Sequence, residues 1–212
     1  MRFEKIYEDV SVLRPEDYLA LERAIRTSDA ADRGEIAALL AGFVQPQSKA
    51  LLLALGRDGD PVVRAEAYDS LAAFPFPDAE AFLLQAAETE RDALARAYAI
   101  LSLADILLSR QTDLSACRDI FRKLLASETD ARCCLSLHRA LCLFGAEDSL
   151  PPLLAFLNEE SYQLRCAAVT AARDVLTVEN RETITQAIRT LQQKETTRAV
   201  RSRIEAVWGD LQ

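Results

Sequence analysis

Five cysteines, one histidine and 33 carboxylates are the side chains with which this 212-residue chain could ligate a metal, exchange electrons or move protons. The cysteines, Cys117, Cys133, Cys134, Cys142 and Cys166, are odd in number, contain no CxxC pair and fall in the middle of the chain, so their spacing suggests neither a disulfide framework nor a zinc site. They read as small core or near-surface thiols of a reducing compartment. Cys133 and Cys134 are adjacent, and adjacent residues on a helix point in different directions. His138 has no Cys or Ser at a triad spacing and reads as a partly buried structural residue. The chain has no Gly-rich phosphate loop, G-x-S-x-G elbow or HExxH motif, and its acids are spread out rather than paired for acid–base work. The expectation is a protein with no catalytic residues, metal or cofactor.

Lys and Arg number 25 against 33 Asp and Glu, a net charge of −8 with a pI near 4.9. Affinity for a phosphate backbone comes from cations, so a general nucleic-acid binder is disfavoured and a basic partner is expected. Acids interrupt the N-terminal MRFEKIYEDVSVL, leaving no signal-peptide core, and no 18-residue apolar stretch is present to span a bilayer. A cytoplasmic protein without membrane contact is expected. Half the residues are hydrophobic and only 7% aromatic, with six Gly and seven Pro, a balance that favours helices.

The elements that would position any site emerge from a repeat. Arg33, Arg64, Arg96, Arg165 and Arg201 recur in one helical pattern, and Cys134 takes the corresponding place in the wide gap, giving spacings of 31, 32, 38, 31 and 36. Three positions after these anchors stand Ile36, Ala67, Ala99, Leu137, Ala168 and Ile204. Seven after stand Leu40, Leu71, Leu103, Leu141, Ala172 and Trp208; ten after stand Phe43, Phe74, Ile106, Phe144, Val175 and Leu211. All eighteen are apolar, and offsets of three, seven and ten share one side of a helix, so each anchor opens an amphipathic helix. Trp208 on the last of these helices is expected to close the hydrophobic end of the stack. Four positions before the anchors stand Asp29, Asp60, Asp92, Asp130, Ser161 and Thr197, all good N-caps. Between these helices, Pro15 to Arg26, Pro46 to Gly56, Asp78 to Glu88, Leu114 to Ala126, Leu150 to Leu157 and Glu182 to Gln193 supply a first helix for each pair. Short helix pairs at this period bury their faces by stacking. The predicted fold is all-α, a right-handed α-solenoid of about six antiparallel helix pairs, in one domain over 1–212 with 1–14 as a leader.

From Pro15 onward the pattern resembles HEAT repeats of the short bacterial type, also found in phycobilin-lyase-like proteins. The best copies are DGDPVVRAEAYDSLAAF (Asp58 to Phe74) and EESYQLRCAAVTAARDVL (Glu159 to Leu176). The resemblance implies a ladder in which the helix-opening arginine meets a turn acid of the neighbouring unit. The residue six before each anchor is Asp58, Glu90, Glu128, Glu159 or Glu195, with Thr27 departing, and Cys134 leaves one rung without its arginine. It also implies that the second helix of each pair lines a concave surface.

On that surface, positions one, five, eight and nine after the anchor are expected to face outward. Most residues at positions one and eight are small, suiting a curved inner wall, and against them stand Asp69, Leu101, Asp105, Leu135, Arg139, Leu143, Arg173 and Asp174. Apolar anchors rimmed by charge suit a protein partner. The expected role is a non-enzymatic scaffold, with an immunity or inhibitor protein for a basic toxin as its concrete version. The resemblance also leaves a bilin-lyase-like enzyme subunit and a HEAT-like nucleic-acid repair protein as alternatives; the net charge weighs against the second.

Overall fold

A computed structural model describes residues 12–111 and 113–211, all-α in architecture. Among these residues there are twelve α-helices and no strands. The chain divides into two compact units, residues 1–112 and 113–212, each described here by itself. The first holds α1 (Pro15–Thr27), α2 (Ala30–Ala41), α3 (Pro46–Leu55), α4 (Pro61–Leu71), α5 (Pro77–Thr89) and α6 (Ala93–Ser109). The second holds α7 (Leu114–Leu125), α8 (Ala131–Leu143), α9 (Leu150–Ala155), α10 (Tyr162–Asp174), α11 (Arg181–Lys194) and α12 (Arg198–Leu211). Short 3-10 turns, Glu147–Ser149 and Phe156–Asn158, flank α9, whose first turn is occupied by Pro151 and Pro152. No helix among the described residues is long and apolar enough to cross a membrane.

The helices begin where the sequence supplies a partner for their first amides. Asp29, Asp60, Asp92, Asp130 and Ser161 each accept a backbone N–H of the following turn. Thr197 instead directs its hydroxyl to Arg165, which donates to it at 3.3 Å. Pro15, Pro46, Pro61 and Pro77 stand at first helical positions, where a missing N–H costs least. Gly145, at φ +80°, ends α8: its N–H donates to the Cys142 carbonyl and the Ala146 N–H to that of Leu141. Of the predicted leader, residues 1–11 lie outside the described residues. Leu13 is buried and pinned to Gln45, whose side chain accepts its N–H at 3.1 Å and donates to its carbonyl at 3.2 Å.

The apolar offsets form the core as predicted. Ile36, Ala67, Ala99, Leu137, Ala168 and Ile204 are all fully buried, as are Phe74, Ile106 and Phe144 ten positions after their anchors. Trp208 is half-buried, packed against the core of the second unit with Arg189 over its ring. The side chain of Leu211 lies outside the described residues.

Three rungs of the ladder are made within the two units. Arg33 clasps Asp58 with Nε and Nη2 at 2.8 and 3.0 Å, Arg64 clasps Glu90 at 2.7 and 2.8 Å, and Arg165 clasps Glu195 at 2.6 and 3.1 Å. In each, Nη1 donates to a turn carbonyl of the arginine's own pair, that of Ser28, Asp58 or Glu159. The acid in turn accepts the N–H of the next cap residue, Asp60, Asp92 or Thr197. Tyr68 adds a hydrogen bond to Glu90. The Arg64 guanidinium holds the Glu90 carboxyl down at about 2, and Arg165 does the same for Glu195. Their stabilisation is therefore complete above the ordinary Glu pKa near ~4.3 and is lost as the pH falls toward 2.

Arg64→Ala leaves a largely buried carboxylate uncompensated and is expected to cost about 1–3 kcal/mol, whereas Arg91→Ala at the surface stays within about 0.5. Equal urea midpoints for the two variants would contradict the ladder's role. Cys134 stands in the arginine register while Glu159 is exposed and makes no ion pair. Cys134→Arg is expected to raise stability by about 0.5–2 kcal/mol, read as a higher urea midpoint that Glu159→Gln abolishes.

Candidate functional site

In the first unit α4 packs alongside both α2 and α6, and in the second α10 packs alongside both α8 and α12. Small side chains permit this closeness: Ala65 and Ala97, one after their anchors, and Ala104, eight after, are buried. The expectation that small residues at positions one and eight line an open wall is thereby corrected for these alanines. In the first unit α4 buries one face on α3 and its flanks on α2 and α6, so its open arc is narrower and turned away from position one. Leu135, at position one on α8, is corrected for the same reason. It is 4% exposed within a core cluster that includes Ala168, Val169 and Ile204, and is not available to a partner.

The arc that does open in the first unit carries offsets −2, +2 and +5 from the anchors: Ala31, Glu35 and Ala38 on α2, Val62, Glu66 and Asp69 on α4, and Leu94, Tyr98 and Leu101 on α6. Val62 and Leu94 are 62% and 42% exposed, and Tyr98 and Leu101 are half-buried. Asp69 reaches solvent while protein crowds its base. That crowding, followed by the charge of Asp105, pushes its carboxyl up, and crowding followed by the charge of Asp69 does the same to Glu66. Burial, then Asp69 and Glu66, push the Tyr98 phenol up. Asp69 and Asp105 thus lie near enough to feel each other's charge, and Leu101 is half-buried on α6; Glu66 and Tyr98 were missed, although their +2 offset was readable.

The other predicted residues belong to the second unit. Arg139 on α8 donates from Nε to Asp174 on α10 at 2.8 Å, and Arg173 grips the other Asp174 oxygen at 2.6 Å. This trio ties two helices together, and Arg139 and Asp174 are largely buried. Leu143 is half-buried against the core. The offsets that carry acids in the first unit here carry Arg203 at +2 and Arg139 at +5.

Chemistry at the thiols and the histidine finds little support. Burial pushes the Cys142 thiol up to about 11 and raises Cys134 and Cys166 as well, keeping them protonated and poorly nucleophilic. Burial lowers His138, whose Nδ1 makes no hydrogen bond. A cleft of about 410 Å³ lies beside the second rung, lined by Gly56, Arg57, Tyr68, Phe82 and Glu90 among others, and by none of the eight predicted residues. Gly56 is required there, because a Cβ would stand 2.6 Å from the Phe82 ring.

Paired helices, capped second helices and arginine–carboxylate rungs define an all-α helical repeat protein. Residues 19–104, from within α1 to near the end of α6, match the model of the family described as HEAT repeats. Among solved structures the chain is similar to the complex of CpcE and CpcF of phycocyanin lyase from Nostoc sp. PCC7120, with 16% identity and a TM-score of 0.45 over 92% of this chain and 99% of that one. It is also similar to human deoxyhypusine hydroxylase in complex with glycerol, with 16% identity and a TM-score of 0.43 over 94% of this chain and 85% of that one. No curated protein sequence matches the chain.

Glu66 and Asp69 oppose folding when charged, since crowding and like charge disfavour the ionised forms. Their raised pKa values place this destabilisation above the unfolded-state values near ~4, and it vanishes below them. Glu66→Gln with Asp69→Asn is therefore expected to raise the urea midpoint at pH 7. Titrating both proteins downward should close the gap below about pH 4, and a double variant less stable than wild type at pH 7 would refute this account.

Proposed function

We propose that this protein is a non-enzymatic HEAT-repeat scaffold that binds a positively charged protein or peptide through the open face of its second helices. The carrying observation is the placement of Glu66 and Asp69, which stand side by side on α4 with no cation against them among the described residues, whereas Asp58, Glu90 and Glu195 each hold an arginine. The charge distribution supports the same reading: residues 1–112 contain 19 acidic and 12 basic side chains, a balance of −7, and residues 113–212 contain 14 and 13. An acidic surface repels phosphate backbones and draws cationic proteins. A basic toxin held by its immunity or inhibitor protein is the concrete case this reading fits.

Capture from native lysate on the immobilised protein, at 0.1 M salt, should enrich proteins of high pI that elute as salt rises. Screening shortens from ~10 Å at 0.1 M to ~3 Å at 1 M, and the attraction weakens with it. A captured set that is neutral or acidic, or indifferent to salt, would sink the reading.

A further inference from the structure

On the reading above, we infer that the open face shared by the adjacent helices α4 and α6 is the docking surface, and that its occupant is a basic amphipathic helix of a partner protein. The two helices contribute different chemistry. The α4 side offers the carboxylates Glu66 and Asp69, one helical turn apart; the α6 side offers Leu94, Tyr98 and Leu101, with Leu94 and Leu101 seven residues apart. Seven residues of helix rise ~10.5 Å, so a helix lying along this face meets both ends of this strip with residues i and i+7. Its apolar flank would lie on α6 and its lysines or arginines on α4, the way an amphipathic helix fills a groove.

A scattered exposed leucine needs no explanation. Here Val62 and Leu94 are exposed at one offset on adjacent helices, and Tyr98 and Leu101 continue the strip. Among the described residues Glu66 and Asp69 cap no helix and accept no hydrogen bond, so no local contact there accounts for them. Other occupants fit worse. An anionic bilayer or a nucleic acid meets these carboxylates with like charge, and so does a second copy of this chain, which brings its own acids to the face. A neutral apolar ligand desolvates both carboxylates without pairing them, at a cost that a cation removes.

The test uses the full chain and a labelled 18-residue peptide of Lys and Leu patterned as an amphipathic helix, with affinity measured by fluorescence anisotropy. Wild type should bind it one to one and ignore the same peptide with Glu for Lys. Glu66→Gln with Asp69→Asn, and separately Val62→Ser with Leu94→Ser, should each weaken binding about tenfold or more. The control Glu160→Gln with Glu182→Gln, equal in charge change but in the other unit, should stay within about twofold. Both face variants alter exposed or half-buried positions, and urea unfolding verifies that each is folded. Face variants that bind like wild type would overturn the docking surface while leaving the basic-partner reading intact. An oligolysine that binds as tightly as the Lys/Leu peptide would overturn the apolar half. Binding no tighter for the Lys peptide than for the Glu peptide would overturn the inference and the reading beneath it together.

Discussion

The forked contact between an arginine at the head of one second helix and a carboxylate in the next turn organises each repeat junction that has it. One guanidinium satisfies two carboxylate oxygens and a carbonyl of its own turn, and the carboxylate then orders the N–H of the next cap. A cap that is held in place starts its helix at a defined residue, which fixes the register of the apolar offsets behind it. Neighbouring pairs are thereby joined through groups that would otherwise be unsatisfied backbone atoms. Tyr68 strengthens the second junction further, its one O–H lying within reach of both the Gly56 carbonyl at 3.0 Å and the Glu90 carboxylate at 3.2 Å.

This economy shapes the surface. Carboxylates taken into rungs and caps, such as Asp58, Asp60, Glu90 and Asp92, contribute little to outward charge, which falls to those that are not. Glu66 and Asp69 are the plainest of these, since the protein holds them partly desolvated without compensation. Such a cost within an otherwise well-paired fold is the observation on which the proposed encounter with a cationic partner rests.

Much of the fold was legible because its causes are local. The caps Asp60 and Asp92 act within three residues, and the offsets of Ile36 and Leu137 follow from helical periodicity alone. The rungs were legible for a different reason: the resemblance to HEAT repeats implied the pairing, and the repeat supplies the two residue types at constant offsets. The site was half legible. A sequence shows one buried face per helix, but α4 and α6 bury their flanks as well, which hid Ala65 and Ala97 and turned the open arc toward Glu66 and Tyr98. Leu135 and the Arg139–Asp174 pair were misjudged on the same ground, since contacts between residues 35 apart on neighbouring second helices leave no periodic trace. Asp113, which caps α7, was readable from its neighbours and was passed over.

Cys134 gives the second unit an uneven grain. In a repeat array each pair answers only to its neighbours, so the free energy of opening is a sum over junctions rather than a property of the whole. The junction after α8 lacks its rung and is held by Arg139 on Asp174, while the one after α10 keeps Arg165 on Glu195. Helices α8 and α10 are thus fastened toward their C-terminal ends and left without a clamp at their heads, so local opening between them starts at the turn that holds Glu159.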